Sequence, residues 1–437
     1  MIERIFGLTE RGTTVRTELT AGLTTFLAMA YIVVVNPAIL SSTGMPVAAV
    51  AAATCLIAGL ASIMMGLTAN LPLALAPGMG LNAYFAFTVV KGMGVPWQIA
   101  LGCVFLSGIA FLILTLVGVR ALIVNAIPRP LLSAVAAGVG LFIAFIGLKD
   151  AGIVINDPAT TVALGNLTSP AAIITVIGLL LIAALQVWKV KGAILIGVLV
   201  SAVAGIAFGL GGTPGPYDPT AISATAFKLD IGGAMSIGGG LGWTLLEIIF
   251  VFLFVDLFDN VGTLVAVTRK AGLTDADGTI PRLNRVLLTD STATIAGSLA
   301  GTSTVVSYIE SAAGVAAGGR TGLTAVTVGV LFLLTLFVAP FVQAIPTAAA
   351  APALILVGAM MMSGLGEIEW DDPSAAIPAF LTVVTIPLTF SIANGLAFGI
   401  VSFAALKLLT GKAVKSDWLL FVLAILFVLR FIYVAEV

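Results

Sequence analysis

Three acidic residues stand inside apolar stretches of the sequence, where no lysine or arginine accompanies them. Asp256 and Asp259 lie in IIFVFLFVDLFDNVGTL, and Glu310 follows TSTVVSYI. If the first stretch is helical, a spacing of three places both aspartates on one face. A carboxylate at the centre of a bilayer costs at least about 2.5 kcal/mol on insertion scales. Acidic residues that lie there without a lysine or arginine favour binding of a proton, a cation or a neutral hydrogen-bonding ligand. They argue against an anionic substrate.

Other polar residues near these acids allow both a structural and a functional interpretation. Asp256 is a candidate for bracing neighbouring helices as well as for carrying a proton. Asn82, which follows the turn PGMG, either caps a helix or contacts a ligand through its amide, which offers donors and an acceptor. Glu247 and Asp290 lie closer to the ends of predicted spans, where we expect solvated or interfacial acids.

The composition excludes a soluble fold and several kinds of chemistry. Of 437 residues, 60% are hydrophobic and 9% are charged, whereas soluble chains are about 25% charged. The chain is therefore predicted to be an all-α polytopic membrane protein. Histidine is absent, and both cysteines, Cys55 and Cys103, lie in apolar runs. A His/Cys metal site and a histidine-based triad are excluded, no cofactor is expected, and no basic patch for nucleic acid is visible.

Fourteen spans are predicted from apolar runs that end at charges, Gly or Pro: 19–40, 47–69, 71–91, 97–118, 128–148, 170–188, 191–211, 241–267, 286–300, 302–318, 322–343, 346–363, 374–391 and 392–410. With a cytoplasmic N-terminus, most of the 19 Lys and Arg residues fall in cytoplasmic loops, and Lys91, Lys149 and Lys228 fall outside. This agreement with the positive-inside rule predicts fourteen crossings of the cell membrane. A last apolar stretch, 417–434, contains Arg430 and either spans the membrane or lies in its interface.

The spans divide into seven and seven, which predicts an inverted-topology repeat. The predicted units are a first repeat, an extracytoplasmic loop, a second repeat and a C-terminal apolar segment, at 1–211, 212–240, 241–410 and 411–437. The third and tenth segments occupy equivalent places, and each is predicted to be a short extended stretch followed by a half-helix. Pro72 and Pro77 interrupt the third, and a β-branched run (residues 304–306) opens the tenth.

The two interrupted segments are the strongest indication of a binding site in the sequence. Extended backbone at membrane depth must find its hydrogen-bond partners within the protein, so the two stretches are candidates for a small antiparallel pair. The half-helix starts offer backbone N–H groups at Gly80, Leu81, Ile309 and Ser311. The alternative is two ordinary kinked helices.

At these residues the sequence resembles the AzgA-like adenine/guanine/hypoxanthine permeases, a branch of the nucleobase–ascorbate transporter superfamily. The resemblance covers nearly the whole chain and rests on four motifs, TELTAGLTTFLAMAYIVVVNPAIL, LPLALAPGMGLNAYFAF, FVDLFDNVGTL and GTSTVVSYIESAAGVAAGGRTGLTA. It implies two inverted seven-segment repeats, in which segments one to four and eight to eleven form a core domain. The remaining six segments form a gate domain, and the stretch 417–434 lies beyond this pattern.

The same resemblance implies a function and a site. It implies uptake of a purine nucleobase, usually by proton symport, and a homodimer is plausible. From the paired half-helices and the unpaired buried acids we expect an elevator or rocking motion of core against gate. The positions that match purine-binding residues of the family are Asn82, Asp259 and Glu310, and Asp256 matches a further important residue. Since histidine is absent, proton coupling must run through carboxylates such as Asp256, Asp259 and Glu310, or through water.

Three alternatives stay open beside this interpretation. A sulfate- or bicarbonate-type anion carrier on the same architecture needs fixed positive charge, which here only helix dipoles supply. An intramembrane aspartyl protease needs carboxylates that face each other from separate helices, whereas Asp256 and Asp259 share one predicted helix, so the chain is predicted not to be an enzyme. A channel would lack saturable exchange of labelled purine across the membrane.

Overall fold

The computed structural model describes residues 2–118, 128–213, 215, 218, 220–236, 242–273, 280, 282–414 and 417–433. Its first half contains the helices α1 (Ile2–Phe6), α2 (Val15–Met29), α3 (Ile32–Ser41), α4 (Val47–Thr68), α5 (Met79–Ala83), which continues as a π-helix (Tyr84–Gly92), α6 (Trp97–Val117), α7 (Arg129–Asp150), α8 (Pro170–Val187) and α9 (Ala193–Ala207). Its second half contains α10 (Ile231–Ala234), α11 (Gly242–Lys270), α12 (Leu283–Ala300), α13 (Ser311–Ala316), α14 (Gly322–Thr335), α15 (Ala339–Val342), α16 (Thr347–Met361), α17 (Pro373–Leu388), α18 (Ile392–Leu409) and α19 (Trp418–Tyr433). The strands are β1 (Leu75–Pro77), β2 (Val154–Asp157), β3 (Thr161–Leu164) and β4 (Val305–Ser307).

The described chain is mostly helical, as the apolar runs predict. Eight helical stretches are long and apolar enough to cross a membrane, and three further apolar helices are shorter. Each of the fourteen predicted spans coincides with helix, and in the third and tenth a short strand precedes the helix. The first span differs from the prediction, because the helix breaks between Met29 and Ile32.

Beside its helices the described chain contains strands, as predicted for the third and tenth segments. It contains two two-stranded antiparallel sheets, β1 with β4 and β2 with β3. The β2–β3 hairpin, which joins α7 to α8, is not among the predicted elements. The signal for it was the turn NDPAT, in which the Asp157 carboxylate accepts hydrogen bonds from the backbone N–H groups of Ala159 and Thr160.

The small sheet β1–β4 is where the two interrupted segments meet, as predicted. Its register places Leu75 opposite Ser307 and Pro77 opposite Val305. Pro77 has no N–H to donate, so it is suited to the end of a short strand. The β-branched pair Val305 and Val306 favours extended backbone in β4. Every residue of both strands is buried.

Side chains from other segments satisfy the outer edges of this sheet. Ser62 of α4 bonds both backbone groups of Leu75, accepting from its N–H at 2.9 Å and donating to its carbonyl at 3.1 Å. Thr294 of α12 bonds both backbone groups of Val305 in the same way, at 3.2 and 3.0 Å. Each strand is therefore tied to the helix that precedes it in the chain.

The long helices pack as two sets. In the first set, α4 packs along α14, α6 along α12, α2 on α14 and α11 on α6. In the second set, α7 packs along α16, and the remaining close pairs are α17 with α18, α7 with α17, α8 with α9 and α8 with α16. In the described chain, contact between the two sets is slighter. The sheet β1–β4 lies in the first set, because it packs on α4, α11 and α12.

The C-terminal apolar stretch forms α19, which packs against α18. Leu420 and Leu423 are buried there, and Phe427 contacts the ring of Phe250 on α11 with centroids 5.9 Å apart. This helix is shorter than the eight helical stretches that are long and apolar enough to cross a membrane.

The hydroxyl of Ser62 is expected to be essential for stability, because Ser62→Ala leaves a buried N–H and carbonyl of Leu75 without that partner. We expect the free energy of unfolding to fall by about 1–3 kcal/mol, seen as a lower thermal unfolding temperature in detergent. The control is Ser107→Ala, since Ser107 is equally buried but among the described residues its hydroxyl bonds only the Val104 carbonyl of its own helix. Equal effects of the two substitutions would contradict the role given to Ser62.

Candidate functional site

Two short helices begin at the sheet β1–β4 and face α11. The first, α5, begins at Met79, directly after β1 and Gly78, and the second, α13, begins at Ser311, a few residues after β4. Both contact α11, which contains two of the predicted acids. The structure therefore brings the third, eighth and tenth segments together around one place, as the sequence predicts.

Glu310 immediately precedes α13 and is held by a residue that is not among the predicted site residues. The hydroxyl of Tyr31 donates to its Oε1 at 2.7 Å. Tyr31 is fully buried and lies at the break between α2 and α3, so the break presents the side chain to the site. The available signal was a lone tyrosine in the apolar run AMAYIVVV. Glu310 itself is half-buried, and Ile309 beside it is 43% exposed.

Asp259 lies on α11 across from Glu310, and the two carboxyl groups are close enough to interact electrostatically. Asp259 is half-buried, and no described residue hydrogen-bonds its side chain. Neither acid has a basic partner in the described part of the chain, where the ion pair found joins Lys407 and Asp417 at a distance from the site. The site therefore offers carboxylate oxygens without fixed positive charge.

Asp256 lies one helical turn before Asp259 and points into the protein instead. It is 1% exposed, and its Oδ1 accepts a hydrogen bond of 2.7 Å from Nδ2 of Asn260. The same Nδ2 donates to Oδ2 of Asp290 at 2.6 Å, and Oδ1 of Asn260 accepts from the backbone N–H of Ser307 at 2.7 Å. Asn260 thus joins α11, α12 and β4 at the back of the site.

This network corrects one expectation and adds one residue. Asp290 was expected to be a solvated or interfacial acid, but it is 1% exposed and bonded to Asn260. Asn260 is not among the predicted site residues, although it directly follows Asp259. The sequence feature that could have indicated Asn260 is an amide side chain in an apolar helix. Its hydrogen-bond partners depend on tertiary packing and cannot be read from the sequence.

Asn82 is the clearest unoccupied hydrogen-bonding group of the site. It is fully buried in α5, and neither its Oδ1 nor its Nδ2 has a partner among the described residues. The cap interpretation is excluded, because Gly78 occupies the N-cap position and the amide bonds no backbone group. Leaving a buried amide unpaired costs about 1–3 kcal/mol, so a ligand that pairs with it gains that interaction.

The backbone positions proposed at the half-helix starts differ in what they offer. Gly80 packs so closely on Val139 of α7 that a Cβ there would overlap its side chain. Leu81 is buried, Ile309 is exposed, and the N–H of Ser311 donates to the Tyr308 carbonyl at 3.1 Å. The hydroxyl of Ser311 accepts from the N–H of Ala74 at 3.0 Å, so Ser311 holds the chain before β1.

Taken together, the site offers acceptors from Asp259 and Glu310, and both a donor and an acceptor from Asn82. This set suits a neutral ligand with N–H donors and ring-nitrogen or carbonyl acceptors. Within the described residues, no group of three His, Cys, Asp or Glu side chains is arranged to hold a metal ion.

The chain is similar to known permeases over almost its whole length. The model of the Permease family Xan_ur_permease matches residues 16–426. The putative permease MJ0326 of Methanocaldococcus jannaschii is 50% identical over 99% of both chains. The adenine permease AdeP of Escherichia coli is 45% identical over 99% of this chain and 96% of its own. The guanine/hypoxanthine permease PbuG of Bacillus subtilis is 44% identical over 99% of this chain and 100% of its own.

A solved structure shares the fold. The transmembrane domain of the cyanobacterial bicarbonate transporter BicA aligns with a TM-score of 0.67, over 88% of this chain and 97% of that chain. The sequence identity is 14%, so the similarity concerns the fold and says nothing about the substrate of this chain.

Asn260 is expected to be the residue on which the back of the site depends. Asn260→Leu removes the donor shared by two buried carboxylates and the acceptor for Ser307, and should lower the free energy of unfolding by at least about 2 kcal/mol. Thermal unfolding in detergent measures this effect. Asn156→Leu, on the exposed β2–β3 hairpin, is the control and should change stability little. An unfolding temperature of Asn260→Leu equal to that of the control would show that the network is dispensable.

Proposed function

This chain belongs to the Permease family Xan_ur_permease, and on that premise we propose that it is a purine nucleobase permease. It is a multi-pass protein of the cell membrane, and we place its N-terminus in the cytoplasm. Relatives that share 44–45% of its residues over nearly full length are adenine and guanine/hypoxanthine permeases. The observation that carries the proposal is the Asn82 amide, which has no partner among the described residues and lies on a helix that contacts α11. Asp259 on α11 interacts electrostatically with Glu310, and neither acid has a basic partner in the described chain.

The chemistry of a purine fits these groups. A purine is flat and neutral, and its ring N–H groups donate to the carboxylates of Asp259 and Glu310. Its ring nitrogens or carbonyl accept from the Asn82 amide. Tyr31 fixes the orientation of Glu310, and Asn260 fixes Asp256 behind Asp259. In this proposal Asp256 supports the site, while Asp259 and Glu310 contact the substrate.

Fourteen segments in two inverted repeats are supported by symmetry in the packing. Such a repeat relates each segment to the one seven places later. The pair α4–α14 (segments two and eleven) is then equivalent to α12–α6 (segments nine and four), and both pairs pack closely. Under the same relation, the hydrogen bonds between Ser62 and Leu75 are equivalent to those between Thr294 and Val305.

The two packed sets of helices support a core and a gate that move against each other. The set that holds the sheet β1–β4 comprises segments one to four and eight to eleven, and the other set comprises the remaining six. The site acids lie on the first set, at its boundary with the second, since α5 contacts α7. Motion of the core, as an elevator or by rocking, would expose the site to alternate sides of the membrane.

We further propose that protons drive uptake. The proposal rests on Asp259 and Glu310, which are ionisable, close together and without basic partners in the described chain. If substrate binding favours the protonated form of one of them, then protonation favours substrate binding to the same degree, because linkage is reciprocal. An anion carrier on this fold would need positive charge at the site, and nothing beyond the fold likeness favours it.

Purified protein in liposomes should accumulate labelled adenine, guanine or hypoxanthine, and an inward proton gradient should raise the initial rate several-fold. Uracil and sulfate serve as the comparison substrates, since uracil lacks the second ring and sulfate carries charge. Uptake should saturate and should exchange with internal purine, as expected of a carrier. Uptake of sulfate without any purine uptake would establish the anion carrier instead, and a rate independent of the gradient would refute proton coupling.

Asp259→Asn and Glu310→Gln should each lower purine uptake by about tenfold or more, because each replaces a charged acceptor with a neutral amide, and a hydrogen bond to a charged group is worth about 1.5–3 kcal/mol. Glu369→Gln is the matched control, since Glu369 is an exposed acid outside the site. Protein levels in the membrane are measured alongside uptake. Normal uptake by both site variants would show that the site is wrongly placed.

A further inference from the structure

Three arginines gather around the C-terminal end of α4. They donate through Nη1 to three successive backbone carbonyls of residues 68, 69 and 70, namely Arg285 at 3.3 Å, Arg282 at 3.5 Å and Arg11 at 3.2 Å. Arg11 also donates to the carbonyl of Arg320 at 3.0 Å. The partial negative charge of the helix end accounts for part of this attraction.

Among the described residues, no carboxylate forms an ion pair with the three guanidinium groups of this arginine cluster. Glu18 uses its oxygens to accept from the backbone N–H groups of Arg320 and Thr324 and from the Thr324 hydroxyl. Burial, and then the charge of Arg282, lower the pKa of Arg11 below its usual value, whereas the charges of Glu18 and Glu10 act in the opposite direction. In the described part of the chain, the positive charges of the cluster are therefore not paired with carboxylates.

Two members of the cluster also have unused donors. A guanidinium group has five N–H donors, whereas Arg282 and Arg285 each use a single Nη1 contact to a carbonyl among the described residues. Both side chains are exposed. Arg282 and Arg285 are three residues apart at the start of α12, so the two side chains project from one turn of helix.

An exposed apolar strip on α4 leads to the cluster. Leu60 and Leu67 are 50% and 54% exposed, and Ile63 and Met64 between them are half-buried. The spacing of three to four residues places them on one face of α4. This face ends at Leu67, next to the Thr68 carbonyl that Arg285 contacts.

We propose that Arg282 and Arg285 bind the phosphate of an anionic phospholipid whose acyl chain lies along the strip Leu60–Leu67. Guanidinium groups bind phosphate oxygens through paired charge-assisted hydrogen bonds, and basic pockets between membrane helices on the cytoplasmic side favour anionic headgroups. The lipid would bridge α4 and α12 at the membrane surface that we assign to the cytoplasm. The site takes a phosphate ester, and the apolar strip selects a lipid over free phosphate.

The test uses the full-length protein in detergent, with phosphatidylglycerol, phosphatidylcholine or inorganic phosphate added in turn. Phosphatidylglycerol should raise the thermal unfolding temperature by several degrees more than phosphatidylcholine does, and inorganic phosphate should have little effect. Native mass spectrometry should show phosphatidylglycerol retained on the protein. The double variant Arg282→Gln/Arg285→Gln should bind it about tenfold more weakly.

The control is Lys189→Gln/Lys412→Gln, which removes two exposed positive charges from the same predicted side of the membrane. This variant should keep the full response to phosphatidylglycerol. If the arginine double variant does not fold, Arg285→Gln alone serves, because that exposed side chain makes one contact of 3.3 Å. An unchanged response in the arginine variants would overturn the proposal, as would an equal response to inorganic phosphate. Neither outcome depends on transport, so purine uptake can fail or succeed independently.

Discussion

The organisation of this protein depends on the hydrogen bonding of two short extended stretches inside a membrane domain. In hydrocarbon no water is available for an unpaired N–H or carbonyl, so β1 and β4 need partners on both edges. They pair with each other, and the hydroxyls of Ser62 and Thr294 satisfy their outer sides. The half-helices can begin in the middle of the domain only because this small sheet is complete. The position of the site therefore depends on the hydrogen bonds that pair the backbone groups of β1 and β4.

The same constraint explains how buried acids are tolerated without basic residues. Asp256 and Asp290 share one amide donor from Asn260, and Glu310 has the hydroxyl of Tyr31. These neutral donors stabilise a carboxyl group without fixing its charge, whereas a lysine or arginine would hold it as an anion. Asp259, which has no such donor in the described chain, remains available to a ligand. A site of this kind suits a neutral substrate and an exchangeable proton.

Much of this arrangement could be predicted from the sequence, because its strongest signals are local. The apolar runs predicted the helices. Pro72 and Pro77, and the β-branched Val305 and Val306, predicted the extended stretches. The scarcity of charge drew attention to Asp259 and Glu310. The partners of the acids could not be predicted in this way. Tyr31 contacts Glu310 across 279 positions of sequence, and nothing local distinguishes it from a packing residue. Asp290 was misjudged because its distance from a span end says little about burial between helices.

Close contacts at glycines hold each of the two sets of helices together. In the first set of helices, α4 and α14 approach so closely that a Cβ on Gly322 would overlap the carbonyl of Gly66. In the second set, Gly140 of α7 and Gly358 of α16 make the same kind of contact. Between the sets the contacts are fewer, and they include Gly80 against Val139 of α7 and the bond from the Thr88 hydroxyl to the carbonyl of Phe390. One such bond contributes about 1 kcal/mol, whereas separating a glycine-lined helix pair would expose close-packed surface along several turns. Each set is therefore held together along its glycine contacts, and the sheet that positions the site acids belongs to the first set.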